Sequence, residues 1–165
     1  MEWAVTVLHF CLWDKRWIGK MRITTNKNQL RKKPFILLVE DDALTRKLHV
    51  ALLEKLNCEV VVAVNGEEAV KKFNTHFDLI IVDIHLPGIS GIEVCQRIQL
   101  CHKTKFIPIV ALTACGEEVE EDCRRAGIAK VYTKPLTLHG FYQLLQRWVG
   151  PLCCIESAEF FKKTK

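Results

Sequence analysis

Residues 79–88, with the sequence LIIVDIHLPG, constrain the fold of this chain more than any other stretch. An apolar run leads to one carboxylate, Asp83, and then breaks at Pro87 and Gly88. A short apolar run bounded by turn residues is typical of a strand buried on both faces, and such strands belong to parallel sheets covered by helices. In open sheets of that kind, ligands bind beyond the carboxyl ends of the strands. The pattern therefore places Asp83 at an edge where binding sites form.

The chain around this stretch repeats the same pattern. Apolar, β-rich runs alternate with segments of helical periodicity, and the runs lie at residues 35–39, 60–64, 79–82, 107–112 and 131–133. Such alternation, with short connections, is typical of a parallel sheet with helices on both faces. We therefore predict an α/β fold with a doubly wound, five-stranded parallel sheet in the flavodoxin-like order 2-1-3-4-5.

Two of the predicted helices carry apolar stripes that indicate which face is buried. The first has leucines at a spacing of four with an alanine beside them, and the last has a stripe that follows a capping threonine, Thr137. The stripe residues are Leu44, Leu48, Ala51, Leu52 and Leu56 in the first helix, and Leu138, Phe141, Leu144, Leu145 and Trp148 in the last. We expect both stripes to face the sheet.

Polar residues of complementary chemistry follow four of the five strands. They are Glu40, Asp41 and Asp42 after the first strand, Asp83 after the third, Thr113 after the fourth and Lys134 after the fifth. In a parallel sheet these positions share one edge. Clustered carboxylates suit Mg²⁺, a carboxylate can attack phosphorus, and an ammonium and a hydroxyl can hold phosphoryl oxygens. Phosphoryl transfer needs mainly positioning and charge neutralisation, so this set predicts a phosphoryl-transfer site.

At these positions the sequence resembles the receiver domain of two-component response regulators. The matching segments are LVEDD at 38–42, VDIHLPGISG at 82–91, ALTA at 111–114 and TKPL at 133–136, and the resemblance covers residues 35–149. It implies that Asp83 accepts a phosphoryl group from a phosphohistidine of a histidine kinase or a histidine phosphotransfer protein.

The resemblance also implies roles for the surrounding residues. Glu40 and Asp41 correspond to the acidic pair, and Mg²⁺ is held by Asp41, Asp83 and the backbone carbonyl of His85. Thr113 corresponds to the residue that senses the phosphoryl group, and Lys134 to the one that bridges it. The family often has a cis bond before the following proline, here Lys134–Pro135.

Three further residues lie beside these positions. Asp42 stands just outside the acidic pair, and we expect it to contribute nothing to metal binding. The side chain of His85 is expected to be exposed. His85 and Cys115 occupy the positions that tune phosphate lifetime in the family.

The switch region departs from the common receiver pattern. Many receivers carry an aromatic residue three positions before the lysine, where this chain has Val131 and places Tyr132 beside it. A shift of one residue along a strand points a side chain to the other face. The sequence therefore departs from the usual threonine–aromatic switch. In this respect it is similar to receivers attached to hybrid histidine kinases, which often pass phosphate to a histidine phosphotransfer domain.

The sequence divides into a leader (1–33), a receiver domain (34–149) and a C-terminal tail (150–165). Residues 1–20 combine three tryptophans with basic residues, a composition that also suits a membrane surface. We favour the alternative, in which Met21 is the natural start. No window approaches eighteen apolar residues, so no transmembrane helix is predicted.

Charge and cysteine content narrow the class of protein. The net charge is +5, but much of the basic excess lies near the ends without a recognition motif, so no direct nucleic-acid binding is expected. The eight cysteines form no C-x-x-C pair, and several fall at apolar positions. Reduced, buried thiols and a cytoplasmic location are expected.

Three alternatives stay open beside a receiver acting in a phosphorelay without an output domain. The chain could be a detached fragment of a hybrid histidine kinase, or a phosphate-independent interaction module. It could also be a phosphatase with an aspartyl nucleophile, although such enzymes place a second acid where this chain has His85. We expect no enzyme activity beyond self-phosphorylation and loss of the phosphoryl group.

Overall fold

A computed structural model of the chain describes residues 33–100, 107–114 and 119–150. The predictions for the leader before Lys33, for Cys115 and for the tail beyond Gly150 fall outside these ranges. Among the described residues no helix has both the length and the apolar character needed to cross a bilayer.

The described chain forms a parallel sheet whose strands alternate with helices. The strands are Phe35–Val39 (β1), Glu59–Ala63 (β2), Leu79–Asp83 (β3), Ile109–Thr113 (β4) and Lys130–Thr133 (β5). The helices are Ala43–Lys55 (α1), Gly66–Lys72 (α2), Gly91–Leu100 (α3), Glu120–Arg125 (α4) and Leu138–Trp148 (α5). The strand order is β2-β1-β3-β4-β5, and every pairing is parallel. The predicted fold class and strand order are confirmed.

The central strand β3 separates two apolar layers. All of its residues are buried, as the bare apolar run predicted. Because successive side chains of a strand point to opposite faces, Ile80 and Val82 pack in the layer with α2, α3 and α4. Leu79 and Ile81 pack in the layer with α1 and α5. Both faces of the sheet are therefore covered by helices, and the open part of the sheet is the edge at the carboxyl ends of its strands.

Helix α5 buries the predicted stripe. Thr137 caps it by accepting a hydrogen bond from the Gly140 amide at 3.1 Å. Phe141, Leu144 and Leu145 are fully buried, and Trp148 packs partly against the same layer. The prediction for this helix is confirmed.

The predicted stripe of α1 is wrong over its first half. Leu44 is 78% exposed and Leu48 50% exposed, whereas His49, Leu53 and Leu56 are buried. A spacing of four residues advances slightly more than one helical turn, so the leucine row drifts by roughly 40° per step around the axis. The row reaches the apolar layer only in its second half, where Leu52 is partly buried and Leu56 is buried. The buried face of α1 instead follows the i, i+4, i+7 spacing that begins at His49.

Candidate functional site

Asp83 ends β3 at the carboxyl edge of the sheet, and both of its carboxylate oxygens are engaged. Its Oδ1 accepts a hydrogen bond from the His85 amide at 3.0 Å, and its Oδ2 accepts one from Lys134 Nζ at 2.6 Å. The side chain is 10% exposed, so the carboxylate is held but still reachable. The following helix, α3, begins at Gly91, where an added Cβ would collide with the Asp83 carbonyl oxygen. Only glycine allows α3 to start this close to the strand.

Lys134 joins the third strand to the first. Its Nζ lies 2.6 Å from Asp83 Oδ2 and 2.6 Å from Glu40 Oε2. The Lys134 amide donates to the Thr113 carbonyl at 2.8 Å, and the Lys134–Pro135 bond is cis, as the resemblance implied. Burial alone would lower the pKa of Lys134, but the hydrogen bonds to Asp83 and Glu40 outweigh it and the pKa is raised. The lysine is therefore a fixed positive charge between two carboxylates.

The acidic residues after β1 differ in exposure. Glu40 is 1% exposed, and burial raises its pKa although the contact with Lys134 offsets part of that effect. Asp41 is exposed. Arg46, on α1, donates from its guanidinium to the carbonyls of Glu40 at 3.0 Å and Asp41 at 2.7 Å. Arg46 thus fixes the backbone of the acidic loop, a role that the sequence reasoning missed.

Glu40, Asp41 and Asp83 together could hold a metal ion. Each offers one carboxylate oxygen, and the three oxygens lie within 4.8 Å of one another. Oxygen ligands of this kind suit a hard divalent cation such as Mg²⁺, which needs only one or two carboxylates. The donor set fits the ion that the sequence predicted. Asp42 lies outside this group.

Asp42 is instead the N-cap of α1. Its Oδ1 accepts a hydrogen bond from the Thr45 amide at 2.7 Å. Hydrogen bonds from Thr45 hold the pKa of Asp42 below its usual range. An aspartate directly before a helical segment is a recognisable capping signal, and the sequence reasoning overlooked it.

Thr113 and His85 meet above the sheet edge. Thr113 is fully buried at the end of β4, and its Oγ1 lies 3.4 Å from His85 Nδ1. The His85 side chain is exposed, as expected. The contact between these two residues was not predicted, because it joins the loop after β3 to the end of β4, 28 positions away.

His49 is a further residue that the sequence reasoning missed. It is buried on α1 directly behind the acidic loop, with Nδ1 3.7 Å from Glu40 Oε2. Its ring meets the ring of Phe141 edge to face, with centroids 5.2 Å apart. The only available signal was a polar residue one position from the leucine row, which is too weak to read from one sequence.

The two switch positions point to opposite faces of the sheet, as predicted. Val131 packs against the layer with α2, α3 and α4, and Tyr132 against the layer with α1 and α5. The Tyr132 hydroxyl accepts a hydrogen bond from Trp148 Nε1 at 2.9 Å. The aromatic ring on β5 is therefore tied to α5 on the face away from Val131.

Comparison with known proteins finds one family along most of the described chain. The profile of the response regulator receiver domain matches residues 36–146. Hybrid signal transduction histidine kinase M of Dictyostelium discoideum is 35% identical over 121 residues. That match covers 69% of this chain but only 5% of the kinase, so the chain spans a small part of that relative.

Solved structures agree with this comparison. The receiver domain of sensor histidine kinase PA1611 from Pseudomonas aeruginosa, with magnesium coordinated in its active site cleft, is 30% identical with a TM-score of 0.66, and the match covers 73% of this chain and all of that one. A second structure contains the Saccharomyces cerevisiae phosphotransfer protein Ypd1 and the receiver domain of Ssk1. The matched chain of that structure is 28% identical to this one with a TM-score of 0.64, and the match covers 76% of this chain and 94% of the matched chain.

Proposed function

This chain belongs to the response regulator receiver domain family, and from that premise we propose that it accepts a phosphoryl group on Asp83 within a two-component phosphorelay. One observation carries the proposal. The Lys134 ammonium lies 2.6 Å from Asp83 and 2.6 Å from Glu40, which with Asp41 form a group of three carboxylates. A fixed cation next to a reachable carboxylate is what capture of a phosphoryl group requires.

The proposed transfer starts from a phosphohistidine of a partner protein. An oxygen of Asp83 attacks phosphorus, the P–N bond breaks, and its electron pair remains on the imidazole nitrogen. The product is an acyl phosphate on Asp83. Lys134 neutralises charge on the phosphoryl oxygens, and the Thr113 hydroxyl donates a hydrogen bond to one of them.

Asp41, Asp83 and the backbone carbonyl of His85 are the groups we assign to Mg²⁺, and Glu40 lies beside them in contact with Lys134. When bound, the ion neutralises negative charge on the carboxylates and on the transferring phosphoryl group. The PA1611 receiver, which has magnesium in its cleft, supports this assignment. The protein's part is to keep the three carboxylates within reach of one ion.

We propose a histidine kinase or a histidine phosphotransfer protein as the partner. The structure of Ypd1 with the receiver domain of Ssk1 supports a phosphotransfer protein. The aliphatic Val131 favours a relay over control of a DNA-binding output. A fragment of a hybrid kinase is the second candidate, supported by the match to hybrid histidine kinase M. The free thiols of Cys58, Cys95 and Cys123 support a cytoplasmic location.

The phosphatase alternative is disfavoured by the residue two positions after Asp83. His85 occupies that position, where an aspartyl phosphatase places its second acid. We therefore propose that the chain does not turn over small phosphate esters. Steady hydrolysis of p-nitrophenyl phosphate by the purified protein would contradict this.

The test of the acceptor is labelling by a phosphorylated phosphotransfer protein in the presence of Mg²⁺. We expect the parent protein to take up label and Asp83→Asn to take up none, because an amide oxygen is a far weaker nucleophile. Asp122→Asn is the matched control, since Asp122 is an exposed aspartate on α4. Equal labelling of Asp83→Asn and the parent would exclude Asp83 as the acceptor.

A further inference from the structure

His49 contains a buried polar atom with no role in the site described so far. The residue is 1% exposed, and among the described residues its Nδ1 has no hydrogen-bond partner. Buried polar groups in proteins are nearly always paired, so an unpaired one needs an explanation. The nearest charged atom, Glu40 Oε2, is 3.7 Å away.

The distance of 3.7 Å is informative because it fits neither a direct bond nor a bridging water. An N–H···O bond spans about 2.7–3.2 Å, and two such bonds through a water separate their ends by roughly 4.5 Å or more. A shift of less than one ångström would bring Nδ1 into contact with Glu40. The His49 ring also packs edge to face against Phe141, with centroids 5.2 Å apart, which limits larger movements of the imidazole.

In this arrangement Lys134 already satisfies Glu40, at 2.6 Å, while it also holds Asp83. A phosphoryl group on Asp83 adds anionic oxygens next to the same ammonium. The lysine ammonium is a compact charge with three donors, and its attraction to those oxygens draws it away from Glu40. Glu40 is 1% exposed, so water cannot replace the lost donor. The free-energy cost of leaving the buried Glu40 carboxylate without a donor opposes the movement of Lys134.

We propose that His49 is a positioning residue for Glu40. When Lys134 moves from Glu40 to the phosphoryl group, His49 Nδ1–H donates a hydrogen bond to Glu40 Oε2 in its place. This rests on the proposed phosphoryl transfer to Asp83. A neutral imidazole has one N–H donor, and with the proton on Nδ1 it can supply this hydrogen bond. His49 thereby stabilises the phosphorylated state more than the free one.

Beryllofluoride, an analogue of the phosphoryl group on a carboxylate, tests the proposal without a partner protein. Its dissociation constant is measured by calorimetry at saturating Mg²⁺ for the parent, His49→Leu and His49→Asn, and the Mg²⁺ constant is measured separately. Leucine fills the apolar site without a donor. Asparagine places an amide nitrogen at the same bond separation from Cα as Nδ1.

We expect His49→Leu to weaken beryllofluoride binding about tenfold, the factor for one hydrogen bond to a charged group. Mg²⁺ binding without the analogue should change less than twofold, because Lys134 still holds Glu40. His49→Asn should recover most of the loss. Thermal unfolding of both variants shows whether the fold is kept.

Three results would overturn the role of His49: unchanged beryllofluoride affinity in His49→Leu, equal losses for Mg²⁺ and beryllofluoride, or no recovery in His49→Asn. If the parent itself binds no beryllofluoride and accepts no label, the proposed function fails and this inference falls with it. The measurement on the parent protein therefore distinguishes failure of the proposed function from failure of the role of His49.

Discussion

The Lys134 side chain competes with a metal ion for the carboxylates of the site. Its ammonium contacts Asp83 and Glu40 at 2.6 Å each. A cation bound by Asp83 must share that carboxylate with this lysine. Lys134, which would stabilise a phosphoryl group on Asp83, therefore competes with the metal ion when no phosphoryl group is present.

Lys134→Met should consequently tighten Mg²⁺ binding while it impairs phosphorylation. We expect about a tenfold lower dissociation constant, corresponding to the removal of roughly 1.5 kcal/mol of competing attraction. Calorimetric titration with Mg²⁺ measures it. Lys130→Met is the control, because Lys130 lies on β5, the strand just before Lys134, and pairs with the exposed Glu120. A weaker Mg²⁺ constant in Lys134→Met would show that the lysine supports rather than opposes the ion.

The site residues divide into those readable from sequence and those that are not. Asp83 and Lys134 could be predicted, since each follows a strand and parallel strands end at one edge. Arg46 and His49 could not. Arg46 acts through backbone carbonyls, and His49 through a single 3.7 Å approach, and neither leaves a periodic pattern. Contacts of this kind depend on helix rotation, which one sequence does not specify.

At the scale of the element, helix α1 shows what periodicity can and cannot predict. The leucine row indicated a helix correctly but assigned its buried face wrongly, because a spacing of four drifts around the helix. Helix α5, whose stripe mixes spacings of three and four, was assigned correctly. The existence of an element is thus easier to predict than its rotation.

This difference predicts contrasting effects of substitutions on α1. Leu48→Lys should change the free energy of unfolding by no more than about 0.5 kcal/mol, since its side chain is half exposed. Leu53→Ala should lower it by about 2–5 kcal/mol, because Leu53 is fully buried. Urea unfolding measures both. If Leu48→Lys proved the more damaging of the two, the rotation of α1 would be wrong.

At the scale of the whole molecule, the two apolar layers bury cysteines as well as aliphatic residues. Burial raises the pKa of Cys58 and Cys95 to about 12, from an ordinary value of 9.0. Only the unfolded chain then loses these protons between pH 9.0 and about 12, so the free energy of unfolding falls as the pH rises through that window. The thiols stay neutral in the folded chain at physiological pH.

Alkylation by iodoacetamide checks this protection, since the thiolate is the reactive form. In the folded protein Cys58 and Cys95 should remain unmodified as the pH is raised from about 7 to about 9, because so little thiolate forms below a pKa of about 12. In denaturant the same residues should react faster with each step in pH. Peptide mass mapping distinguishes the sites. Rapid modification of Cys58 in the folded protein would show that its layer opens readily.

The contact between Trp148 and Tyr132 has an optical consequence. The indole N–H of Trp148 donates a hydrogen bond to the Tyr132 hydroxyl, and Tyr132 lies on β5, two residues before Lys134. Indole emission depends on the hydrogen bonding and polarity around the ring. Trp148 is therefore an intrinsic fluorophore hydrogen-bonded to the strand that precedes Lys134. Replacing Trp3, Trp13 and Trp17 with phenylalanine would make Trp148 the single tryptophan that emits.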